Sequence, residues 1–203
     1  EVVPALSAAN VGIVSLANNH VMNAGTAGLE NTIRYLNDAK IAHAGAGENL
    51  ATALAPAIVE RNGIKIAFLA FNDTDVVPPS YGAGATRSGT AFMDIGRMTA
   101  AVQSAKAESD AVIVSMHSGV EYTPSPNASQ TAFARAAIDA GAALVIGHHP
   151  HVVQTVEVYK GKYILYSLGN FVFDQMWSAD TQRGNQKKIT KIRSCNSAPI
   201  RIS

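Results

Sequence analysis

Cysteine is nearly absent from this sequence, in which Cys195 is the one thiol among 203 residues. A single thiol excludes an internal disulfide framework and a zinc site built from cysteines. Because Cys195 lies in a carboxyl-terminal stretch with little secondary-structure pattern, a cysteine nucleophile is not expected either. The chemistry of the protein must come from other side chains.

Charged residues are also scarce, at 15% of the chain, and the two signs nearly cancel to a formal net charge of +1. Such a balance leaves no electrostatic footprint for DNA, RNA or an anionic membrane surface. We therefore expect no nucleic-acid partner.

Long apolar runs and common nucleotide or hydrolase motifs are missing as well. No stretch of about 18 apolar residues predicts a transmembrane helix, and the chain does not begin with methionine. We expect any signal peptide or membrane anchor to lie outside this sequence. The absence of a Walker motif and of a G-x-S-x-G elbow argues against an ATP-dependent ligase and a serine hydrolase.

What the sequence does contain is an alternation of apolar, β-prone runs with helical patterns. Predicted strands cover residues 11–16, 64–71, 112–114 and 144–146, and predicted helices lie around residues 29–36, 94–107 and 127–140. This alternation predicts an α/β fold with a largely parallel sheet and helices outside it. Gly141 is well placed as a left-handed helix cap. Residues 152–159 and 163–168 predict a β-hairpin that turns at Lys160-Gly161.

Five of the six histidines fall in three clusters, and each cluster directly follows a predicted strand. The clusters are Asn18-Asn19-His20, His117-Ser118-Gly119-Val120-Glu121 and Gly147-His148-His149-Pro150-His151. Ligands of open α/β sheets bind in the crevice at the carboxyl ends of the strands, so three such loops can converge on one place. Imidazoles and amide oxygens gathered there predict a metal site.

The third cluster gives the strongest local signal, because three imidazoles within four positions can offer ring nitrogens to one or two divalent ions. A surface histidine run is the alternative interpretation. His117 is either a further ligand or a structural residue at a strand end, and Glu121 could orient a ring or contact substrate.

The first cluster supports two interpretations. Its asparagines offer a carboxamide oxygen as a hard-metal ligand, and His20 offers an imidazole that could act as general acid. A simple turn with asparagine as a helix cap explains the same residues.

Longer stretches around these clusters resemble one known family. They are residues 15–20, 62–68, 117–122 and 138–154, and the segment from Tyr166 through Gly169-Asn170 to Gln175. In this combination and order, the sequence resembles the CapA family of bacterial capsule-synthesis, or poly-gamma-glutamate biosynthesis, proteins. That family is a branch of the calcineurin-like metallophosphoesterase superfamily.

The resemblance implies a metallophosphoesterase-like α/β/β/α sandwich with a two-metal site at the strand ends. Residues 1–184 would form this domain, lacking its first strand or strands. Residues 185–203 would form a basic tail with a candidate last strand.

The same resemblance implies a set of ligands. Asn19 is similar to the family's asparagine ligand, and His20 is similar to the acid beside it. The imidazole ligands would be His117 and a pair drawn from His148, His149 and His151, with the choice between His148 and His149 left open. The implied ions are Mn, Fe or Zn, two of them in the full-length protein.

The sequence departs from the family pattern in three respects. Family members begin with a strand ending in Gly-Asp and with a second acidic motif, which provide carboxylates for the metals, and this chain starts after both. Asn23 stands where the family usually has aspartate. Ser118 replaces a common tryptophan, which predicts a different substrate-facing wall. We therefore expect the chain alone to bind metal weakly or not at all.

Two functions are consistent with these features. The first is a metal-dependent hydrolase that acts on a phosphoester or on an amide bond of an anionic polymer, with His20 and Glu121 as catalytic residues. The alternative is a non-catalytic cell-surface component that handles or exports poly-gamma-glutamate on a cleft lined by Arg87, Lys187 and Lys188.

Several expectations are common to both functions. Arg87 and Asn170 are the predicted substrate-binding residues. The implied partners are an anionic polymer such as poly-gamma-glutamate and other capsule-synthesis membrane proteins. The implied location is extracytoplasmic, at the cell surface or membrane-associated through a segment outside this chain.

Overall fold

Residues 2–171, 173 and 178–182 are described by a computed structural model of the chain. The predicted basic tail, residues 185–203 with Lys187 and Lys188, lies outside the described residues. The predicted domain end at Gly184 also lies outside them.

Helices and strands alternate along the described part of the chain, which confirms the predicted α/β class. The helices are α1 (Val2–Ala8), α2 (Gly25–Asp38), α3 (Leu50–Leu54), α4 (Ile95–Glu108) and α5 (Ala128–Ala140), with a short 3-10 helix at Pro79–Tyr81. The strands are β1 (Ile13–Ser15), β2 (Ala42–Ala44), β3 (Ala46–Gly47), β4 (Ala57–Arg61), β5 (Ile64–Asn72), β6 (Gly89–Thr90), β7 (Ala111–His117), β8 (Leu144–His148), β9 (Val156–Tyr159) and β10 (Lys162–Leu165).

Six of these strands form the main sheet, in the order β4-β5-β7-β8-β10-β9. The four central strands run parallel, and both edge strands are antiparallel to their neighbours. The predicted hairpin is confirmed as β9 and β10, and its turn residues Lys160 and Gly161 both have positive φ. Positive φ at both central positions is typical of the type I′ turn, whose twist matches that of the strands.

One face of the main sheet packs against α4 and α5. Leu69 and Phe71 of β5 alternate onto this face and join Met98 of α4 and Phe133 of α5 in the largest buried cluster. Asn127 caps the start of α5, and Gly141 ends it at φ 116°, as predicted for a left-handed cap. The apolar face of each helix therefore determines how the helix packs on the strands beneath it.

The other face of the main sheet packs against a smaller sheet made of β1 and β2, which run parallel. Ala17, Ala44 and Ala70 form the contact between the two sheets. Gly45 allows this close approach, because a Cβ there would lie 2.7 Å from Ala17 Cβ and 2.8 Å from Ala70 Cβ. Leu29 of α2 covers the outer face of the smaller sheet.

The layers therefore follow the order α2, small sheet, main sheet, then α4 with α5. This order confirms the predicted α/β/β/α sandwich, with a second sheet of two strands in the described residues. Within the same residues, no helix combines the length and the apolar character needed to cross a membrane.

Candidate metal centre

The carboxyl ends of β5, β7 and β8 lie side by side in the main sheet. The register pairs Asn72 with His117, and His117 with His148. Paired residues on neighbouring strands present their side chains on the same face. The sheet thus places three polar side chains in a row at one edge, where ligands of α/β folds bind.

The loop after β1 reaches the same edge from the second sheet. His117 donates from Nε2 to Oδ1 of Asn19 over 3.1 Å. Asn18 makes the turn, since its Oδ1 accepts a hydrogen bond from the backbone N–H of His20. Asn18 therefore makes a turn, while Asn19 faces His117. The expectation that an asparagine here caps a helix is wrong, because the N-cap of α2 is Ala24.

Three imidazoles form a continuous series, which we call the histidine cluster: His117, His149 and His151. The ring centroids of His117 and His149 are 4.9 Å apart, and those of His149 and His151 are 6.3 Å apart. His149 and His151 both have positive φ, at 101° and 60°, on either side of Pro150. With this backbone, the ring of His149 lies between those of His117 and His151.

The ring contacts place His149 beside His117, and the choice between His148 and His149 as a ligand stays a prediction. His148 belongs to β8, and its backbone oxygen accepts a hydrogen bond from Ser118. Burial lowers the pKa of His148. Its ring is nonetheless close enough to contribute to the electrostatics of His117.

Partial burial favours the neutral form of His117 and His149. Desolvation, followed by repulsion from His149 and three other histidines, lowers the pKa of His117 to about 3. Desolvation also lowers the pKa of His149, although Glu121 and Asp73 oppose that shift. Neutral imidazoles keep a nitrogen lone pair, which is the form that binds metal ions.

Hydrogen bonds define which nitrogen of His151 and of His20 carries the proton in the neutral ring. His151 Nδ1 donates to Oδ1 of Asn170 over 2.9 Å, which leaves its Nε2 lone pair available. Asn23 donates its amide to Nδ1 of His20 over 3.1 Å, so the ring proton of neutral His20 is on Nε2. A metal-binding histidine typically donates its other ring N–H to a fixed acceptor, as His151 does.

The two predicted substrate-binding residues are bonded within the chain. The amide of Asn170 donates to the backbone oxygen of Thr181 and accepts from His151, so it orients that ring. Arg87 is exposed, and its guanidinium donates to the backbone oxygen of Gly82 in its own loop. Their role toward a substrate stays a prediction.

Glu121 lies beside the histidine cluster. Its Oε1 is 3.8 Å from Nε2 of His151, and its side chain is 44% exposed. The ring of Tyr122 stacks on that of His151 at a centroid distance of 5.9 Å. Glu121 therefore brings a negative charge to the open side of the cluster.

Sequence reasoning missed Asn72 and Asp73, which lie at the end of β5 on the same edge. Asp73 is 3% exposed and accepts a hydrogen bond from the hydroxyl of Ser118. Ser118 is itself fully buried, and the expected change in a substrate-facing wall stays a prediction. The available signal was an Asn-Asp pair at the end of an apolar strand.

Some of the side chains at this edge are suited to bind a divalent ion. Nδ1 of His149 and Oδ1 of Asn72 are buried without a hydrogen-bond partner, and buried polar atoms are normally bonded. However, no group of three His, Cys, Asp or Glu side chains among the described residues is arranged to hold an ion. The edge thus brings imidazole and amide donors together.

Comparisons with known proteins identify the family of the chain. Residues 1–175 match the family described as bacterial capsule synthesis protein PGA_cap. The chain is 39% identical over 184 residues to the "Capsule biosynthesis protein CapA" of Bacillus anthracis, covering 88% of this chain and 44% of that protein. It is also 39% identical over 179 residues to the "PGA biosynthesis protein CapA" of Bacillus subtilis strain 168, covering 88% and 47%. The chain spans less than half the length of both relatives.

Among solved structures, the fold is similar to that of a 5'-nucleotidase precursor from Thermus thermophilus. The TM-score is 0.56 at 17% identity, over 82% of this chain and 34% of that chain. The likeness confirms a metallophosphoesterase-like fold.

Proposed function

Because the chain belongs to the bacterial capsule synthesis protein family, we propose that it forms most of a metal-dependent hydrolase site used in making a poly-gamma-glutamate capsule. The observation that carries this proposal is the convergence of His117, His149 and His151 with the Asn19 amide at one sheet edge. All are donor types that bind Mn, Fe or Zn.

Asn19, His117, His149 and His151 would hold the ions, with His148 behind them on β8. When bound, the ions supply Lewis-acid activation of water for attack on a phosphoester or an amide bond. Asn170 would keep Nε2 of His151 free by accepting from its Nδ1.

The exposed ring of His20 is suited to protonate the leaving group. The general acid would be the imidazolium form of His20, which would release its proton from Nε2, the ring nitrogen that does not contact Asn23. General acids of this kind contribute roughly 100-fold to 10,000-fold to a rate. Glu121 would orient substrate or His151 from the open side of the site.

We further propose that carboxylates outside this sequence complete the site, as the family resemblance implies. Two-metal sites need bridging oxygens that hold the ions about 4 Å apart. The described residues contain no ready group of three acidic or imidazole ligands, which is consistent with a site shared with another segment.

The test measures bound Mn, Fe and Zn in the full-length parent protein and its hydrolysis of a chromogenic phosphodiester. His117→Ala and His151→Ala should each remove at least one equivalent of metal and most of the activity. His43→Ala is the matched control, because His43 on β2 is also a histidine with a buried, unpaired Nδ1. A metal-free, inactive wild type would overturn the hydrolase proposal.

The lack of a three-ligand group among the described residues also favours a second candidate, a non-catalytic component that binds poly-gamma-glutamate for handling or export. In that case the polymer would bind without metal, and Arg87→Ala would weaken binding. Binding would also fall with added salt, since exposed charges are screened. Polymer binding that is unchanged in about 1 M salt, where the screening length is only about 3 Å, would contradict it.

We also propose an extracytoplasmic, cell-surface or membrane-associated location, with other capsule-synthesis membrane proteins as partners. The support is the relatives' names, which refer to capsule and PGA biosynthesis. Fractionation of cells that express the parent protein tests the location, and recovery in the cytoplasm alone would overturn it.

A further inference from the structure

The end of β5 carries two buried polar side chains to which the proposed hydrolase mechanism assigns no role. Asn72 is 0% exposed and Asp73 is 3% exposed. Burying an amide or a carboxyl group is costly unless it is hydrogen-bonded, so the bonds of these side chains are informative. Each of them leads to a different loop of the candidate site.

Asn72 holds the loop that carries Asn19. Its Nδ2 donates to the backbone oxygen of Asn18 over 2.9 Å, across a separation of 54 residues. Its backbone is fixed in turn, because its N–H donates to the oxygen of Ala91 and its own oxygen accepts from the N–H of Met93. The loop from the small sheet is thus attached to a rigid point on the main sheet.

Asp73 holds the segment that follows His117. Its carboxylate accepts from the hydroxyl of Ser118, and its own N–H donates to the backbone oxygen of His117 over 3.0 Å. The N–H of Ser118 donates to the backbone oxygen of His148 over 3.1 Å. The ends of β5, β7 and β8 are therefore joined through Asp73 and Ser118.

We propose that Asn72 and Asp73 are positioning residues, which set the distance between Asn19 and His117 by fixing both loops to the end of β5. The inference rests on the proposed function, because Asn19 and His117 are candidate ligands there. Removing such supporting bonds typically weakens metal affinity by about 10-fold to 100-fold.

The first measurement needs no metal. In NMR spectra of the metal-free chain, the Nε2–H of His117 should be visible, because its bond to Asn19 protects it from exchange with water. Asn72→Ala and Ser118→Ala should each broaden or remove this resonance. Ser88→Ala is the matched control, since it removes another buried serine hydroxyl that donates to a carboxylate, that of Glu30.

The second measurement is a Mn²⁺ titration of the full-length parent protein. Asn72→Ala and Ser118→Ala should raise the Mn²⁺ dissociation constant by about 10-fold or more, and Ser88→Ala should leave it unchanged. Thermal unfolding identifies which variants are folded. If Asn72→Ala does not fold, the result for Ser118→Ala alone decides.

The outcomes separate this inference from the proposed function. If the His117 resonance persists in both variants, or is also lost in Ser88→Ala, the positioning role is wrong. If the resonance is lost in both variants while the wild type binds no Mn²⁺, the positioning role holds and the metal-dependent hydrolase fails.

Discussion

Two groups of polar side chains on the main sheet differ in how they are satisfied. Near α5 and the β9–β10 hairpin, Arg135 pairs with Glu157 at 2.8 Å and Lys160 pairs with Asp139 at 2.6 Å, all partly exposed to solvent. At the strand ends the histidine cluster is half-buried, and Nδ1 of His149 has no hydrogen-bond partner. The polar atoms of the hairpin group pair with one another, whereas a buried nitrogen of the histidine cluster has no partner within the described residues.

The largest expected effect comes from Gly147, where the two regions meet. A Cβ at this position would overlap the backbone oxygen of Tyr166, which cannot move without disturbing the sheet. We expect Gly147→Ala to lower the free energy of unfolding by about 3 kcal/mol, measured by urea denaturation. In Gly12→Ala the new methyl meets no atom within 4 Å, and an equal loss there would contradict the packing explanation.

The second prediction concerns the effect of pH on His117. This residue has a pKa of about 3 in the folded chain against about 6.5 when unfolded, so only the unfolded chain gains its proton between these values. The stability due to neutral His117 is complete above about pH 6.5 and is lost as the pH falls toward 3.

Between about pH 7 and pH 5 the expected loss from His117 is about 2 kcal/mol. Urea denaturation of the metal-free chain at the two pH values measures this loss. Between the same pH values, the free energy of unfolding of His117→Gln should fall by about 2 kcal/mol less than that of the wild type. Equal losses in the two proteins would show that His117 is protonated in the fold.

A smaller effect is expected in the hairpin group, at Glu157. This carboxylate accepts from the hydroxyl of Tyr166 at 2.6 Å and pairs with Arg135. Burial and this hydrogen bond raise the pKa of Tyr166 to about 12. Glu157→Gln should lower the free energy of unfolding by about 1 kcal/mol, and a loss as large as that of Gly147→Ala would remove the contrast between the two regions.

The smallest effect is expected at Lys160. Its contact with Asp139 raises the pKa of Lys160 and lowers that of the carboxyl group, but both side chains are well exposed to solvent. Exposed ion pairs contribute little because water and salt screen them. We expect Lys160→Met to leave the thermal midpoint unchanged within error, and a clear decrease would mean that the hairpin ion pairs stabilise the fold more than their exposure allows.

The main elements of the fold could be predicted from the sequence because they are long and strongly patterned. The strands β5, β7 and β8 and the helices α4 and α5 each have an apolar face that must be buried. Strand β4 was missed, although Asn62-Gly63 between apolar runs is a typical hairpin turn and both residues have positive φ. The pairing of β1 with β2 depends on contacts between sheets, which short local patterns do not encode.

The candidate site was predictable to a similar degree. The histidine clusters stood out because each follows a strand, but the ring contacts of His149 depend on its backbone conformation. Asn72 and Asp73 were marked in the local sequence only as an Asn-Asp pair at the end of an apolar strand, which is a weaker signal than a cluster of histidines. Their importance follows from hydrogen bonds over 45 and 54 residues of chain separation, which only the folded structure shows.

The left-handed backbone at His149 and His151 has a consequence for protein engineering. Glycine would relieve the strain at either position, because it lacks the Cβ that makes positive φ unfavourable. A screen for heat resistance alone would therefore select glycine in this loop and discard the two imidazoles. An engineering programme that aims at higher stability should hold positions 149 and 151 constant, because it would otherwise remove two candidate metal ligands.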